Sequence, residues 1–308
     1  MGKRKVKINL KHKKVGTIKR IKWKRGMEVT PATFEEIDRY KEETDQELRR
    51  LHAIRGCGII PKRTKNVNLV LAGGILTVQV GNLEGITSQG QLLQIAGDTI
   101  RLNEPRDKGH ECYLAVRADG EKEFEVNNTF YRSPRFTYDF CSLSELDDYC
   151  LPFAKLIKDN DSWRIQDLYI PPCMTVGADP ELTNMVSLQR GKLASIIGTI
   201  QNRVAPYELL VLRMLLMEID GYRMSETPND FFNLLKRIVL ALSLSSIAGT
   251  ENISMPVMGS FEEYDILKSI QPLFDYIADF HKAVQQPTIQ QPKKAEPAKN
   301  IEVWDAEI

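Results

Sequence analysis

The hydrophobic period of the sequence changes at one short segment, and this change restricts the folds open to the chain. Before the adjacent prolines Pro171 and Pro172 apolar residues alternate with polar ones, whereas beyond Asp179 they recur every three or four residues. Alternation is typical of half-buried strands, and the longer period is typical of helices. Two successive prolines exclude a helix between the two parts. The sequence therefore predicts an α+β protein whose β-rich first part leads through an extended connector into helices.

The first part contains many short alternating segments separated by turn signals. Alternation is clear at Leu76, Val78 and Val80, and again at Phe124 and Val126. Short strands at this spacing favour a β-sandwich or a barrel, and we expect the sandwich. Turns are predicted at Gly73-Gly74, Gly97-Asp98, Asp119-Gly120 and Ser133-Pro134.

One amphipathic helix interrupts these strands. Thr30 occupies the N-cap position, Pro31 the first helical position, and Phe34 begins an apolar stripe, with Gly56 beyond the last turn. Proline at the first position and glycine after the last are the usual limits of a helix. A helix is predicted over residues 31–54.

Four helices are predicted between residues 180 and 285, with breaks near 204–206, 221–228 and 249–259. Short connections between four helices indicate a helical bundle. Residues 207–219 are apolar on nearly every face, which is more apolar surface than a monomeric bundle buries. We expect the surplus surface to contact another subunit.

The composition and motifs favour no catalytic chemistry. The chain is 42% hydrophobic and 27% charged with a net charge of +1, as in a soluble globular protein with no general affinity for nucleic acid. Its five cysteines are widely spaced and its four histidines lie at no metal-binding spacing, so buried free thiols are predicted. Phosphate-binding, dinucleotide-binding and nucleophile-elbow motifs do not occur. We expect no enzyme, no metal and no cofactor.

Both ends of the chain differ from the remainder in charge. Residues 1–25 contain many lysines and arginines and no acid, and Val6, Ile8 and Leu10 alternate there with polar residues. Three interpretations remain open: an edge strand protected by lysines, a strand that adds to a neighbouring sheet, or a phosphate-binding segment.

At the other end, residues 286–308 are predicted to form a disordered linker followed by a short terminal peptide. Ile301, Val303 and Trp304 would be partner-binding residues of that peptide, with the tryptophan as its anchor. A frayed terminus without function is the alternative.

Two patches of sequence resemble TssK, the baseplate subunit of bacterial type VI secretion systems. In the first, a strand ending in tryptophan precedes Gly-Met and then a proline and phenylalanine that open a helix. In the second, an apolar strand is followed by a tryptophan, the paired prolines and an Asp-Pro helix start. The residues that carry the resemblance are Trp23, Gly26, Met27, Pro31 and Phe34, then residues 151–156, Trp163, Pro171, Pro172, Asp179 and Pro180.

The resemblance implies a homotrimer with a β-sandwich shoulder like that of phage receptor-binding proteins and a helical-bundle neck. It also implies that the shoulder docks on the baseplate wedge proteins. The expected domains are a basic arm at 1–16, the shoulder at 17–172, the neck at 173–285 and the linker with its peptide at 286–308. The motif residues Trp23, Met27 and Phe34 would then be structural, packing the first strand against the helix.

The sequence departs from this family at two points. Ala32 and Thr33 stand where the family often has histidine and glutamine, and residues 286–308 leave no room for the family's C-terminal head domain. We therefore expect a divergent system with a membrane-complex partner different from the usual one.

The predicted function is a cytoplasmic structural adaptor at the inner face of the bacterial inner membrane, without direct membrane insertion. A phage-derived tail or receptor-binding adaptor is the alternative, and a nucleic-acid-binding protein using the basic N-terminus is a weaker one.

Overall fold

The computed structural model describes residues 27, 29–53, 56–61, 66–105, 108–126, 129–160, 162–245, 247 and 249–286. The predicted basic arm and most of the predicted linker and terminal peptide lie outside these residues. The chain divides into two compact units. The first holds the described residues up to Asn184 with Arg223–Phe232 and Ser260–Ser269, and the second holds Met185–Tyr222, Asn233–Gly259 and the described residues from Ile270 onward.

The first sheet of the first unit is antiparallel, and one strand of it pairs with the other three. Its inward face is formed by Leu76, Val78 and Val80, which are at most 1% exposed, as the alternation predicts. Gly73 and Gly74 form the predicted turn, and both have the positive φ that glycine adopts without strain. The strands are β1 (Gly58–Ile59), β2 (Asn66–Ala72), β3 (Ile75–Ile86) and β4 (Leu92–Asn103), and β3 pairs with each of the others.

The second sheet has the strand order β6-β5-β7-β8 and is also antiparallel. The pairing of β5 with β6 extends beyond the end of β7, which pairs with β5 only as far as Val116. Tyr138 of this sheet donates a hydrogen bond of 2.8 Å to Asp98 of the first sheet. The strands are β5 (Glu111–Val126), β6 (Thr129–Cys141), β7 (Leu151–Asp159) and β8 (Ser162–Ile165).

Three of the four predicted turns are wrong, because the residues in question lie inside strands. Gly97-Asp98 is within β4, Asp119-Gly120 within β5 and Ser133-Pro134 within β6. Gly97 and Gly120 do have positive φ, and the β5–β6 register shifts between Ala118 and Glu121. A glycine of this conformation forms a local irregularity in a continuing strand as readily as a turn.

The helices agree closely with the prediction. The first was predicted at 31–54 and is described over Pro31–Ala53, and the four predicted helices of the second part are all present. Asp179 caps the helix that begins at Pro180, since its Oδ1 accepts a hydrogen bond of 2.9 Å from the backbone N–H of Glu181. The helices are α1 (Pro31–Ala53), α2 (Pro180–Ile200), α3 (Pro206–Asp220), α4 (Pro228–Ser243) and α5 (Ile266–Gln285).

Polar contacts join the helices within the second unit. His281 of α5 lies 2.8 Å from the hydroxyl of Ser195 in α2, and Arg237 of α4 donates to Glu218 of α3 at 2.8 Å. The buried sides of these helices are apolar, and Leu193 of α2 is fully buried. Among the helices described, none is both long and apolar enough to cross a membrane.

Candidate partner interface

The predicted connector is an extended segment held against the first sheet. The backbone N–H of Ile59 donates to the carbonyl of Pro172 at 2.8 Å, and the N–H of Met174 donates to the carbonyl of Ile59 at 3.1 Å. Gly58 has φ +117°, and a Cβ there would lie 2.1 Å from the Pro172 oxygen. Pro171 and Pro172 are both buried. The paired prolines are therefore a packed structural joint of the first unit.

A buried charged cluster ties the second sheet to the start of α5. Lys155 of β7 is 6% exposed, and its Nζ lies 2.7 Å from Oδ2 of Asp265 and 2.8 Å from Oε2 of Glu111. The phenol of Tyr113 donates to the same Asp265 oxygen at 2.9 Å. Asp265 also accepts from the N–H of Lys268 at 3.2 Å, so one carboxylate binds a cation and caps a helix.

Burial and neighbouring charge shift the pKa values of two members of the cluster, Lys155 and Tyr113. Burial alone would lower the pKa of Lys155, but hydrogen bonds to Asp265 and Glu111 and their negative charge raise it above the ordinary value. Burial, followed by the charge of Asp265, raises the pKa of Tyr113 above its ordinary value as well. Groups shifted away from neutrality are poorly suited to general acid or base catalysis. The cluster is a structural anchor.

A surface cavity of about 340 Å³ lies in the first unit between the end of α1 and the starts of α4 and α5. Phe261, Glu263 and Cys173 are among the residues that line it. Glu263 accepts the backbone N–H of Cys57 at 3.1 Å, and the thiol of Cys173 donates to the carbonyl of Pro171. Both polar groups are therefore engaged in contacts within the first unit.

The thiols are buried as predicted. Each of the five cysteines is free and buried, and burial raises the pKa of Cys112 to about 12 and that of Cys150 to about 11. The described residues contain no group of three or more side chains that would hold a metal ion.

An apolar strip along α3 is exposed on the surface of the second unit. Leu212, Leu215 and Ile219 form the buried side of this helix. The strip lies on the opposite side, at the helical spacing expected of one face. Its members are Tyr207 (70% exposed), Leu210 (59%), Val211 (46%), Met214 (61%) and Met217 (73%). Such a continuous strip is typical of a surface that another subunit covers.

The motif residues near the N-terminus divide between described and undescribed parts of the chain. Trp23 and Gly26 lie outside the described residues, whereas Pro31 opens α1 as predicted. Met27 is 41% exposed and Phe34 is 59% exposed. Their packing against the first strand stays a prediction, since the strand is not described. Ile301, Val303 and Trp304 of the terminal peptide also lie outside the described residues.

Sequence reasoning did not find the buried cluster. Lys155 interrupts the otherwise apolar run of residues 151–156, and a lysine at a position that alternation and apolar neighbours mark as buried requires a counter-charge. That signal predicts a buried ion pair. It does not identify Asp265, which is distant in the sequence and whose position depends on the fold.

No family model and no curated protein matches this sequence. Solved structures do match it. A crystal structure of TssK has a TM-score of 0.59 at 16% identity, over 86% of this chain and 69% of that one. A cryo-electron microscopy structure of the type VI secretion TssK-TssF-TssG baseplate subcomplex has a TM-score of 0.59 at 14% identity, over 87% of this chain and all of the matched one. TssK from EAEC bound to a nanobody has a TM-score of 0.58 at 12% identity, over 82% and 69%.

These matches define the fold as one found in the baseplate of a secretion machine. The baseplate structure of the type VI secretion system matches too, with a TM-score of 0.59 over 86% of this chain. The particular fold is that of TssK, as the resemblance in the sequence predicts.

Proposed function

We propose that this chain is a structural adaptor in the baseplate of a type VI secretion machine, at the cytoplasmic face of the bacterial inner membrane. The observation that carries the proposal is the TssK fold across 87% of the chain, matched to a subunit of a TssK-TssF-TssG subcomplex. In this proposal the two sheets form a β-sandwich shoulder over residues 17–172, and α2 to α5 form a helical-bundle neck over 173–285. The shoulder binds wedge proteins that resemble TssF and TssG.

The adaptor acts as a homotrimer through the apolar strip of α3. Met217 is 73% exposed and Tyr207 is 70% exposed in the isolated chain. Burying such side chains contributes about 1.5–3 kcal/mol each, and closed cyclic symmetry covers the same strip on every copy. Leu244 near the end of α4 is 71% exposed and extends the apolar surface available to a neighbouring copy.

Native mass spectrometry of the tagged chain, purified from its own cells at low and moderate salt, tests the proposal. We expect a trimer, free or bound to wedge proteins. Met214→Glu with Met217→Glu places charge on the strip and should yield monomers. Arg213→Glu adds charge on the same helix outside the strip, and this control should remain trimeric.

The outcomes separate the candidates. A monomer without protein partners would overturn the adaptor proposal. A trimer that the Met214 and Met217 substitutions leave intact would overturn the α3 strip as its interface. Recovery of fibre or receptor-binding proteins in place of wedge proteins would favour the phage-derived alternative.

We also propose that residues 301–308 bind a membrane-complex component, with Trp304 as the buried anchor and Ile301 and Val303 beside it. A tryptophan among acidic residues combines a large apolar area with charge that selects a basic partner. Removal of residues 286–308 should leave trimers intact and abolish recruitment to the membrane complex. Unchanged recruitment and secretion would overturn this role for the peptide.

A further inference from the structure

The far end of the β5–β6 hairpin is a two-stranded arm. We define the β5–β6 arm as residues 121–126 of β5 and 129–134 of β6, which pair from Glu121↔Pro134 to Val126↔Thr129. The neighbouring strand β7 reaches only Val116 of β5. An isolated two-stranded ribbon is marginally stable in water and usually gains a third strand or a packed face.

One face of the arm is aromatic and apolar beyond Lys122, which shares that face with Phe124 and Val126. The rings of Phe124 and Tyr131 stack across the pair with centroids 5.6 Å apart. Phe124 is 43% exposed, and Val126 and Tyr131 are each 46% exposed. Cross-strand aromatic pairs stabilise a hairpin, but this pair still presents much of its apolar surface to water.

The opposite face of the arm is acidic apart from Phe130, which is paired with Glu125 and is 75% exposed. Glu121, Glu123 and Glu125 share it, because alternate residues of a strand point to the same side. Arg132 is paired opposite Glu123, with its Nε 3.1 Å from that carboxylate and 4.0 Å from that of Glu121. Three carboxylates against one guanidinium leave two negative charges on this face.

The edges of the arm are available for pairing among the described residues. β6 is the terminal strand of its sheet, and the other edge of the arm lies beyond the reach of β7. Unpaired edges present rows of N–H and C=O groups to an incoming strand. The arm therefore accepts an extended segment whose two faces match its own.

Residues 5–11 of the same sequence carry the matching pattern. Val6, Ile8 and Leu10 alternate with Lys5, Lys7, Asn9 and Lys11. In strand addition the side chains of the added strand continue the two faces of the sheet. The three apolar residues would extend the aromatic face, and the lysines would lie against the glutamates.

We propose that residues 5–11 add to the β5–β6 arm as a third strand. This pairing gives the basic N-terminus a role that requires neither nucleic acid nor phosphate. Residues 5–11 come either from the same chain or from a neighbouring copy, and the contacts with the arm are the same in both cases. The proposal does not depend on the baseplate function, since it needs only this chain.

Hydrogen exchange of the full chain, read by mass spectrometry, tests the proposal. We expect amides 6–10 to exchange at least about tenfold more slowly than in an unstructured chain, because an added strand with several cross-strand pairs protects its backbone. The triple variant Glu121→Lys, Glu123→Lys, Glu125→Lys should abolish that protection. Phe124→Ser should weaken it by removing the aromatic contact.

Charge exchange provides the decisive comparison. Lys5→Glu, Lys7→Glu, Lys11→Glu should also abolish protection, and combining it with the arm triple variant should restore it. The matched control Lys13→Glu, Lys14→Glu, Lys19→Glu changes the same charge in the same basic segment outside the proposed strand, and it should leave protection intact.

The source of the strand follows from carbodiimide cross-linking of a mixture of ¹⁴N and ¹⁵N chains. Cross-links between Lys7 and the arm glutamates support the proposal, and mixed-isotope products assign the strand to a neighbouring copy. Free-chain exchange at residues 6–10, or protection that survives either triple charge reversal made on its own, would overturn the proposal. Neither result bears on whether the chain trimerises or binds wedge proteins.

Discussion

The ammonium of Lys155 lies 2.7 Å from the carboxylate of Asp265, and both side chains are at most 7% exposed. The pair joins the third strand of the second sheet to the residue that precedes α5. Glu111 and the Tyr113 phenol complete the shell around these two groups. A buried pair in such a shell is strongly destabilised when only one member is removed, because the other charge remains buried without its partner.

Removal of the lysine tests this cluster. Lys155→Ala should lower the free energy of unfolding by about 3–5 kcal/mol, since the Asp265 carboxyl stays buried without its cation. Urea denaturation measures the change. The control is Arg132→Ala, which removes a pair whose side chains are more than 60% exposed and should cost less than about 1 kcal/mol. Equal costs for the two variants would contradict the role of the cluster.

The joint between the first sheet and the connector should be sensitive to substitution of Gly58. An alanine Cβ would lie 2.1 Å from the Pro172 oxygen, and the φ of +117° is unfavourable for any L side chain. Gly58→Ala should destabilise the chain by about 2–5 kcal/mol, from combined overpacking and backbone strain. Gly109→Ala is the control, because a Cβ there meets nothing within 4 Å. Thermal unfolding of the two variants gives the comparison, and a Gly58 variant as stable as the control would refute the tight approach.

The surface contact between Glu145 and Lys108 should depend on pH. Hydrogen bonds from the Lys108 ammonium and from the Ser142 backbone lower the pKa of Glu145 to about 2 from 4.5. Because the folded-state pKa is depressed, the contact stabilises the fold above pH 4.5, and this contribution is lost as pH falls toward 2. Glu145→Gln should therefore be less stable than wild type at neutral pH, and the difference should vanish in acid.

Two measurements check the Glu145 prediction. Unfolding free energies of wild type and Glu145→Gln, compared between pH 2 and 7, should converge only below pH 4.5. An NMR titration of the Glu145 carboxyl should give a depressed pKa that Lys108→Met returns toward its ordinary value. A stability difference that is independent of pH would contradict the assignment.

How far the fold follows from the sequence depends on whether a feature is local. Pro31, Pro180, Pro206 and Pro228 each stand first in a helix, and proline at that position is a local signal. Gly97 was predicted as a turn and lies in a strand, because its positive φ suits a turn and a strand irregularity equally. Only the pairing with β3 decides between them.

The features of the candidate interface also differ in how far the sequence predicts them. The apolar excess of residues 207–219 predicted a surface covered by another subunit, because apolar residues on nearly every face are visible within one helix alone. The partner of Lys155 was not predictable, since Asp265 reaches it only after the second sheet and the start of α5 have come together. The packing of Trp23 and Phe34 stays a prediction.

The last prediction concerns the thiols. All five cysteines are buried, and burial raises the pKa of Cys150 to about 11 and that of Cys112 to about 12. Only a thiolate reacts rapidly with a disulfide reagent, and almost none forms at these sites near neutral pH. The native chain should release no chromophore from Ellman's reagent at pH 8 within minutes, and all five thiols should react in denaturant. A thiol that reacts at once in the native chain would identify a cysteine that opens to solvent and would contradict its burial.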